Sequence, residues 1–135
     1  MPDPHKIAII DCQTAGVSGD MFLGALLDLG ADTAKVVNAI KSIETYVKEY
    51  RNLKVDVRTV TRRGFRAKKV DAEAERVQEM NGAELIELVE QCVNGLKLSG
   101  KTRQFASNSV RTLVNAEAKV HGENLDEVHL HAAGQ

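Results

Sequence analysis

From Lys6 to Cys12 the chain reads Lys-Ile-Ala-Ile-Ile-Asp-Cys, a β-branched run with no polar alternation. That is the pattern of a strand buried on both faces, so a central strand is expected there. A loop with two glycines, Gln13 to Gly19, leads to Asp20, which opens Met-Phe-Leu-Gly-Ala-Leu-Leu-Asp-Leu-Gly. This stretch is apolar nearly all round and stops at Gly30, which predicts a buried helix. A second helix is expected from about Thr33 to Ile43, with Val36, Val37 and Ile40 inward and Asp32 or Thr33 as its cap. Leu53, Val55 and Val57 alternate with Lys54, Asp56 and Arg58, and alternation resumes after Arg62-Arg63-Gly64 with Val70, Ala72 and Ala74. These two runs predict an antiparallel hairpin. Leu85, Leu88, Val89, Cys92 and Leu96 recur at helical spacing, as do Ala106, Val110, Leu113 and Val114 beyond a break at Leu98-Ser99-Gly100. Val128-His129-Leu130-His131 returns to strand alternation. The order is β-α-α-β-β-α-α-β, an α+β or mixed α/β layered single domain over residues 1–135. Periodicity does not set the strand order.

The chain's 135 residues suffice to bury a core without disulfides, and 43% hydrophobic with 27% charged residues excludes disorder over most of its length. A formal net charge of −1 gives no global reason to expect nucleic acid or an anionic membrane as partner, so an anion site would be local. The opening Met-Pro-Asp-Pro-His-Lys lacks the long apolar run of a signal peptide, and nowhere do about 18 apolar residues run together. The cytoplasm is therefore the expected compartment. Cys12 and Cys92 fall on a strand end and on the apolar stripe of a helix, which reads as two buried free thiols rather than a bridge.

Three constellations carry candidate chemistry. In the first, Asp11 to Asp20, Gly16, Ser18 and Gly19 sit where backbone N–H groups and a helix dipole favour a phosphate, and Asp11 and Asp20 are oxygen ligands for Mg or Mn. The same residues also serve plain turn and cap geometry, and the loop is neither a P-loop nor a dinucleotide fingerprint. The second is the basic cluster Arg58, Arg62, Arg63, Arg66, Lys68 and Lys69, able to grip an anionic ligand or simply to be solvated on a protected edge. In the third, strand geometry sets His129 and His131 on one face about 7 Å apart. Imidazoles at that spacing can converge on Ni, Zn, Cu or Fe(II), or stand exposed on an edge.

The run Asp11-Cys-Gln-Thr-Ala-Gly-Val-Ser-Gly-Asp-Met-Phe-Leu-Gly-Ala-Leu-Leu-Asp-Leu-Gly-Ala closely resembles the opening of the LarC family of nickel-insertion proteins. Arg62-Arg63-Gly64-Phe65-Arg66-Ala67-Lys68-Lys69-Val70-Asp71 is similar to its second motif. Its third is matched by Ala116-Glu-Ala-Lys-Val-His-Gly122 with Val128-His129-Leu130-His131. The resemblance implies the amino-terminal part of a chelatase that inserts Ni(II) into a pyridinium bis-thiocarboxylate mononucleotide. The product is the nickel-pincer nucleotide of lactate racemase, made with CTP consumed and Mn or Mg assisting. It places Gly16, Ser18, Gly19, Asp20, Arg62, Arg63 and Lys68 near the anionic ligand, and His129, His131, Asp11 and Asp20 near metal. The family's carboxyl-terminal part is the implied partner, and a homo-oligomer is compatible with the sequence. Two departures stand out. Ala74 to Asn81 replaces the histidine-rich insertion of many relatives, and His131 is followed by Ala-Ala-Gly-Gln rather than Glu-Val-Gly. A noncatalytic binding or assembly domain is the alternative of a different class. A small phosphotransfer enzyme is disfavoured because the P-loop lysine is missing.

Overall fold

The computed structural model describes residues 7–130. At its centre is the hairpin that the alternation predicts: β1, Tyr50–Arg62, pairs antiparallel with β2, Phe65–Arg76. Arg62 lies opposite Phe65, so the loop has two residues, Arg63 at φ 50° and Gly64 at φ 84°. Two positive φ angles are what a type I′ turn needs to match the twist of its strands. The register sets Val57 against Val70 and Val55 against Ala72 on one face. Asp56 faces Asp71 and Arg58 faces Lys69 on the other. Near the open end the register shifts between Arg51 and Lys54, with Asn52 at φ 55°, as at a β-bulge.

Helix α1, Gly19–Asp28, lies against β2. Gly24 permits the contact, because a Cβ there would stand 2.6 Å from the Lys68 carbonyl oxygen. Only Gly24 and Leu27 of this helix are buried, while Met21, Leu26 and the following Leu29 are exposed. The expected all-round burial is thus reduced to one stripe. Helix α2, Thr33–Ser42, is capped by Asp32, whose carboxylate accepts from the Lys35 N–H at 3.0 Å. It presents half-buried Val36, Val37 and Ile40, and a short 3-10 turn, Ile43–Thr45, carries the chain toward β1.

Helix α3, Gly82–Gly95, starts at a capping box in which Asn81 and Glu84 each bond the other's backbone N–H at 2.9 Å. Helix α4, Gly100–His121, is capped by Ser99 and stopped by left-handed Gly122. The two pack around Ile86, Val110, Val114 and Ala118, with Val128 inserted from the returning segment. Leu113 faces out at 54% exposure, against expectation. No helix among the described residues is long and apolar enough to cross a membrane.

Among the described residues four α-helices and a two-stranded antiparallel sheet make an α+β fold, one of the two classes that the periodicities allow. The first and last strands expected along the chain, the first of them as a central strand, are not formed among the described residues. Ile7 to Cys12 joins no ladder among the described residues, and Ile7, Ile9 and Ile10 are 88%, 92% and 58% exposed. A strand apolar on both faces needs strand neighbours and covering layers, which this hairpin and its helices do not offer it. Val128 to Leu130 is likewise outside any strand. Its backbone serves α3 instead: the Gly82 N–H donates to the Val128 carbonyl at 2.8 Å and the Ala83 N–H to the Leu125 carbonyl at 3.1 Å. These are N–H groups at the start of a helix, which no intrahelical carbonyl can reach.

Candidate functional site

The glycine loop tightens at Gly16, whose N–H donates to the Cys12 carbonyl at 3.0 Å with φ at 69°. The Asp11 carboxylate accepts from the Gln13 N–H at 2.9 Å. Ser18 is the residue before α1, but its hydroxyl does not accept from the helix; it donates to the Asp20 carboxylate. The same Asp20 oxygen accepts from the Met21 N–H at 2.9 Å. The Ser18 hydroxyl, then the Met21 N–H, and more weakly the Lys69 ammonium hold the Asp20 carboxyl below its ordinary value. The start of α1 is therefore met by its own carboxylate, which stands where an external anion would otherwise interact with the dipole.

Because Gly24 seats α1 on β2, this loop and the basic hairpin become neighbours, and Lys69 is near enough to act on Asp20. The cations of the hairpin divide into two groups. Arg58 and Lys69 pair with Asp71 at 2.9 and 3.0 Å, and Arg58 also reaches Asp56 at 3.7 Å. Lys68 donates to the Thr59 hydroxyl at 2.9 Å on the opposite face. Among the described residues, Arg62, Arg63 and Arg66 are exposed and form no ion pair. They cluster at the turn, where Phe65 is three residues, about 10 Å, along β2 from Lys68.

His129 is exposed and lies apart from these groups in the chain, with Nδ1 3.2 Å from the Met80 carbonyl oxygen just ahead of α3. A proton on Nδ1 satisfies that contact and leaves the Nε2 lone pair available to a metal. His131 falls outside the described residues. His121 is engaged 3.3 Å from Glu117 one helical turn back. Among the described residues no three His, Cys, Asp or Glu side chains are grouped to hold a metal.

Two features carried no signal in the sequence. A recess of about 210 Å³ beside Met80 is lined by Glu84 and Glu87, one turn apart on α3, and by Glu49, which the fold brings to them from the segment before β1. An apolar groove of about 610 Å³ opens between the hairpin base and α3, with Val47, Leu53, Ala72, Leu88, Cys92 and Val93 in its walls. Burial, and secondarily Glu49, raise the Cys92 thiol above its ordinary value. Both cysteines are free, but Cys12 is exposed rather than buried, because the segment carrying it is not covered.

The family model described as nickel insertion protein matches residues 8–135. A protein of Methanothermobacter thermautotrophicus named as a nickel insertion protein is 35% identical over 95% of this chain and 30% of its own length. One of Desulfotalea psychrophila, similarly named, is 32% identical over 96% of this chain and 31% of its length. The pyridinium-3,5-bisthiocarboxylic acid mononucleotide nickel insertion protein of Akkermansia muciniphila is 30% identical over 96% of this chain and 32% of its length. The chain thus spans about 30% of the length of the curated relatives it matches, and no solved structure matches it. With the match running through the glycine loop, the basic hairpin and the histidine segment, the chain belongs to the nickel insertion protein family.

Proposed function

We propose that this chain acts in the insertion of Ni(II) into pyridinium-3,5-bisthiocarboxylic acid mononucleotide, as part of a cytoplasmic nickel chelatase that consumes CTP and makes the nickel-pincer nucleotide of lactate racemase. The observation that carries this reading is His129 in a chain of the nickel insertion family: Nδ1 is engaged by the Met80 carbonyl, which orients Nε2 for a soft or borderline divalent cation. His131, and Asp11 and Asp20 by approach of the loop, complete the proposed metal set. In this reading the mononucleotide's phosphate goes to Arg62, Arg63 and Lys68, with Gly16, Ser18 and Gly19 bounding its other side and the Asp20 carboxylate turned to the metal instead. Arginines without ion pairs among the described residues lose no partner on taking up a phosphate, and guanidinium can bind it through two N–H groups.

As donors for Mg or Mn with CTP, Asp11 and Asp20 have the right oxygen chemistry. The described residues nonetheless gather no group of three ligands, so they do not by themselves make a site for that ion.

Calorimetric titration of the chain with Ni(II) tests the proposal. Binding by the wild type that disappears in the His129→Ala/His131→Ala variant is expected; equal affinity in both rejects these ligands. Titration with the mononucleotide is expected to weaken in Arg62→Ala/Arg63→Ala and to weaken further with added salt. A second reading, a noncatalytic domain that delivers metal or assembles with a separate catalytic part, draws on the chain's 30% share of its relatives' length. Nickel insertion and CTP turnover by this chain alone would defeat it.

A further inference from the structure

Ile7 to Asp11 is a short segment that is apolar on both faces and uncovered on both. In extended form Ile7 and Ile9 share one face, while Ala8 and Ile10 share the other. Their isoleucines are 88%, 92% and 58% exposed. No backbone hydrogen bond ties Ile7 to Asp11 to any other described segment. The segment is not an appendage to the family's fold, since the family match begins at residue 8 and the relatives align over 95% of the chain. An apolar, unpaired backbone is costly to leave in water and is a template for strand pairing.

We infer that Ile7–Asp11 is a docking strand, filled by a β-strand and its covering layer from the portion of the family protein that lies outside the part this chain spans. This deepens the functional reading and rests on it, since it supposes that the chain works with that portion. Two observations select this occupant. The relatives devote about 70% of their length to polypeptide that this chain does not match, which is ample to supply both a strand and a layer. A second copy of the segment, paired about a two-fold axis, would occupy one edge yet bring only another strand with two bare faces. Addition of a strand to an open edge supplies backbone bonds, and the isoleucines supply selectivity through pockets on alternate sides.

The test is amide hydrogen exchange on this chain alone and on this chain fused to the unmatched portion of the Methanothermobacter thermautotrophicus relative. Fusion keeps the two parts at high effective concentration. In the chain alone the amides of residues 7–11 are expected to exchange freely at every concentration. In the fusion they are expected to slow by roughly 100-fold, and Ile9→Glu, a change at an exposed position, is expected to abolish that protection while leaving the melting temperature of the chain alone unchanged. Free exchange at residues 7–11 in a folded fusion overturns the inference, as does protection of the chain alone that dilutes away, which would identify a second copy. Nickel titration of the same fusion reads the functional proposal separately: loss of nickel binding with the segment protected sinks that proposal and spares this one.

Discussion

At the scale of single residues, two positions carry consequences larger than their chemistry suggests. Gly24 has no side chain because the Lys68 carbonyl occupies its place, at 2.6 Å from where a Cβ would be. Gly24→Ala must therefore push α1 from β2, and we expect a loss of roughly 1–3 kcal/mol in chemical denaturation. Gly19→Ala, with nothing within 4 Å of the added atom, serves as the comparison. Asp20 is the second position. Its folded pKa is lowered, first by the Ser18 hydroxyl. A lowered value means that the ionised form stabilises the fold above the carboxyl's unfolded pKa, and that this contribution fades as pH falls through the folded one. Titration of Asp20 by NMR is expected to show a midpoint below that of an ordinary aspartate, moving up in Ser18→Ala. An unmoved midpoint would remove Ser18 as the main cause.

At the scale of elements, the hairpin and α3 depend on local geometry that the chain encodes in a few residues. The type I′ turn needs positive φ at Arg63 and Gly64, and only the glycine adopts it without steric cost. Gly64→Ala is expected to cost about 1 kcal/mol, whereas Arg63→Asn should be neutral or stabilising, since asparagine tolerates the left-handed region. Equal costs for both would contradict the turn. In α3, Asn81→Ala removes the reciprocal capping bonds to Glu84 and is expected to cost about 1 kcal/mol in thermal unfolding. The hairpin was legible beforehand for a physical reason, since period-two alternation flanking Arg-Arg-Gly marks it. Helical spacing marked α3 as well, but its cap at Asn81 and Glu84 was found in the structure. Leu113 shows the limit of periodicity: it lies at the edge of the α4 stripe, and the width of the face α3 covers decided that it stays in solvent.

For the whole molecule, the arrangement of α1, the hairpin and the α3–α4 pair decides which groups meet. Lys69 lowers the Asp20 carboxyl only slightly, and Glu49 shares a recess with Glu84 and Glu87 because the hairpin entry lies beside α3. Cys92 reports on the groove between these layers. Burial raises its pKa, so less thiolate is present near neutral pH, while Cys12 is exposed. Iodoacetamide at pH 8 is expected to alkylate Cys12 well before Cys92, with the two rates converging in denaturant. Similar rates in the native chain would mean that the groove opens freely.

While the structure chose Asp32 as the cap and α+β as the class, family membership, the hairpin around Arg62-Arg63-Gly64 and a helix capped at Asp32 or Thr33 were all determined by the sequence itself. Each rests on interactions among residues a few positions apart, or on a motif whose residues are contiguous. The sequence also marked Ile7 to Cys12 as a strand to be covered on both faces, a requirement that its residues impose wherever the partner comes from. Tertiary structure alone decided that this run lies uncovered among the described residues. It also decided that Val128 offers its carbonyl to the start of α3 instead of to a sheet, and that His129 is oriented by the Met80 carbonyl. These outcomes depend on which distant surfaces reach each other first and bury most, and a linear pattern of apolar and polar residues specifies a face without naming what will cover it.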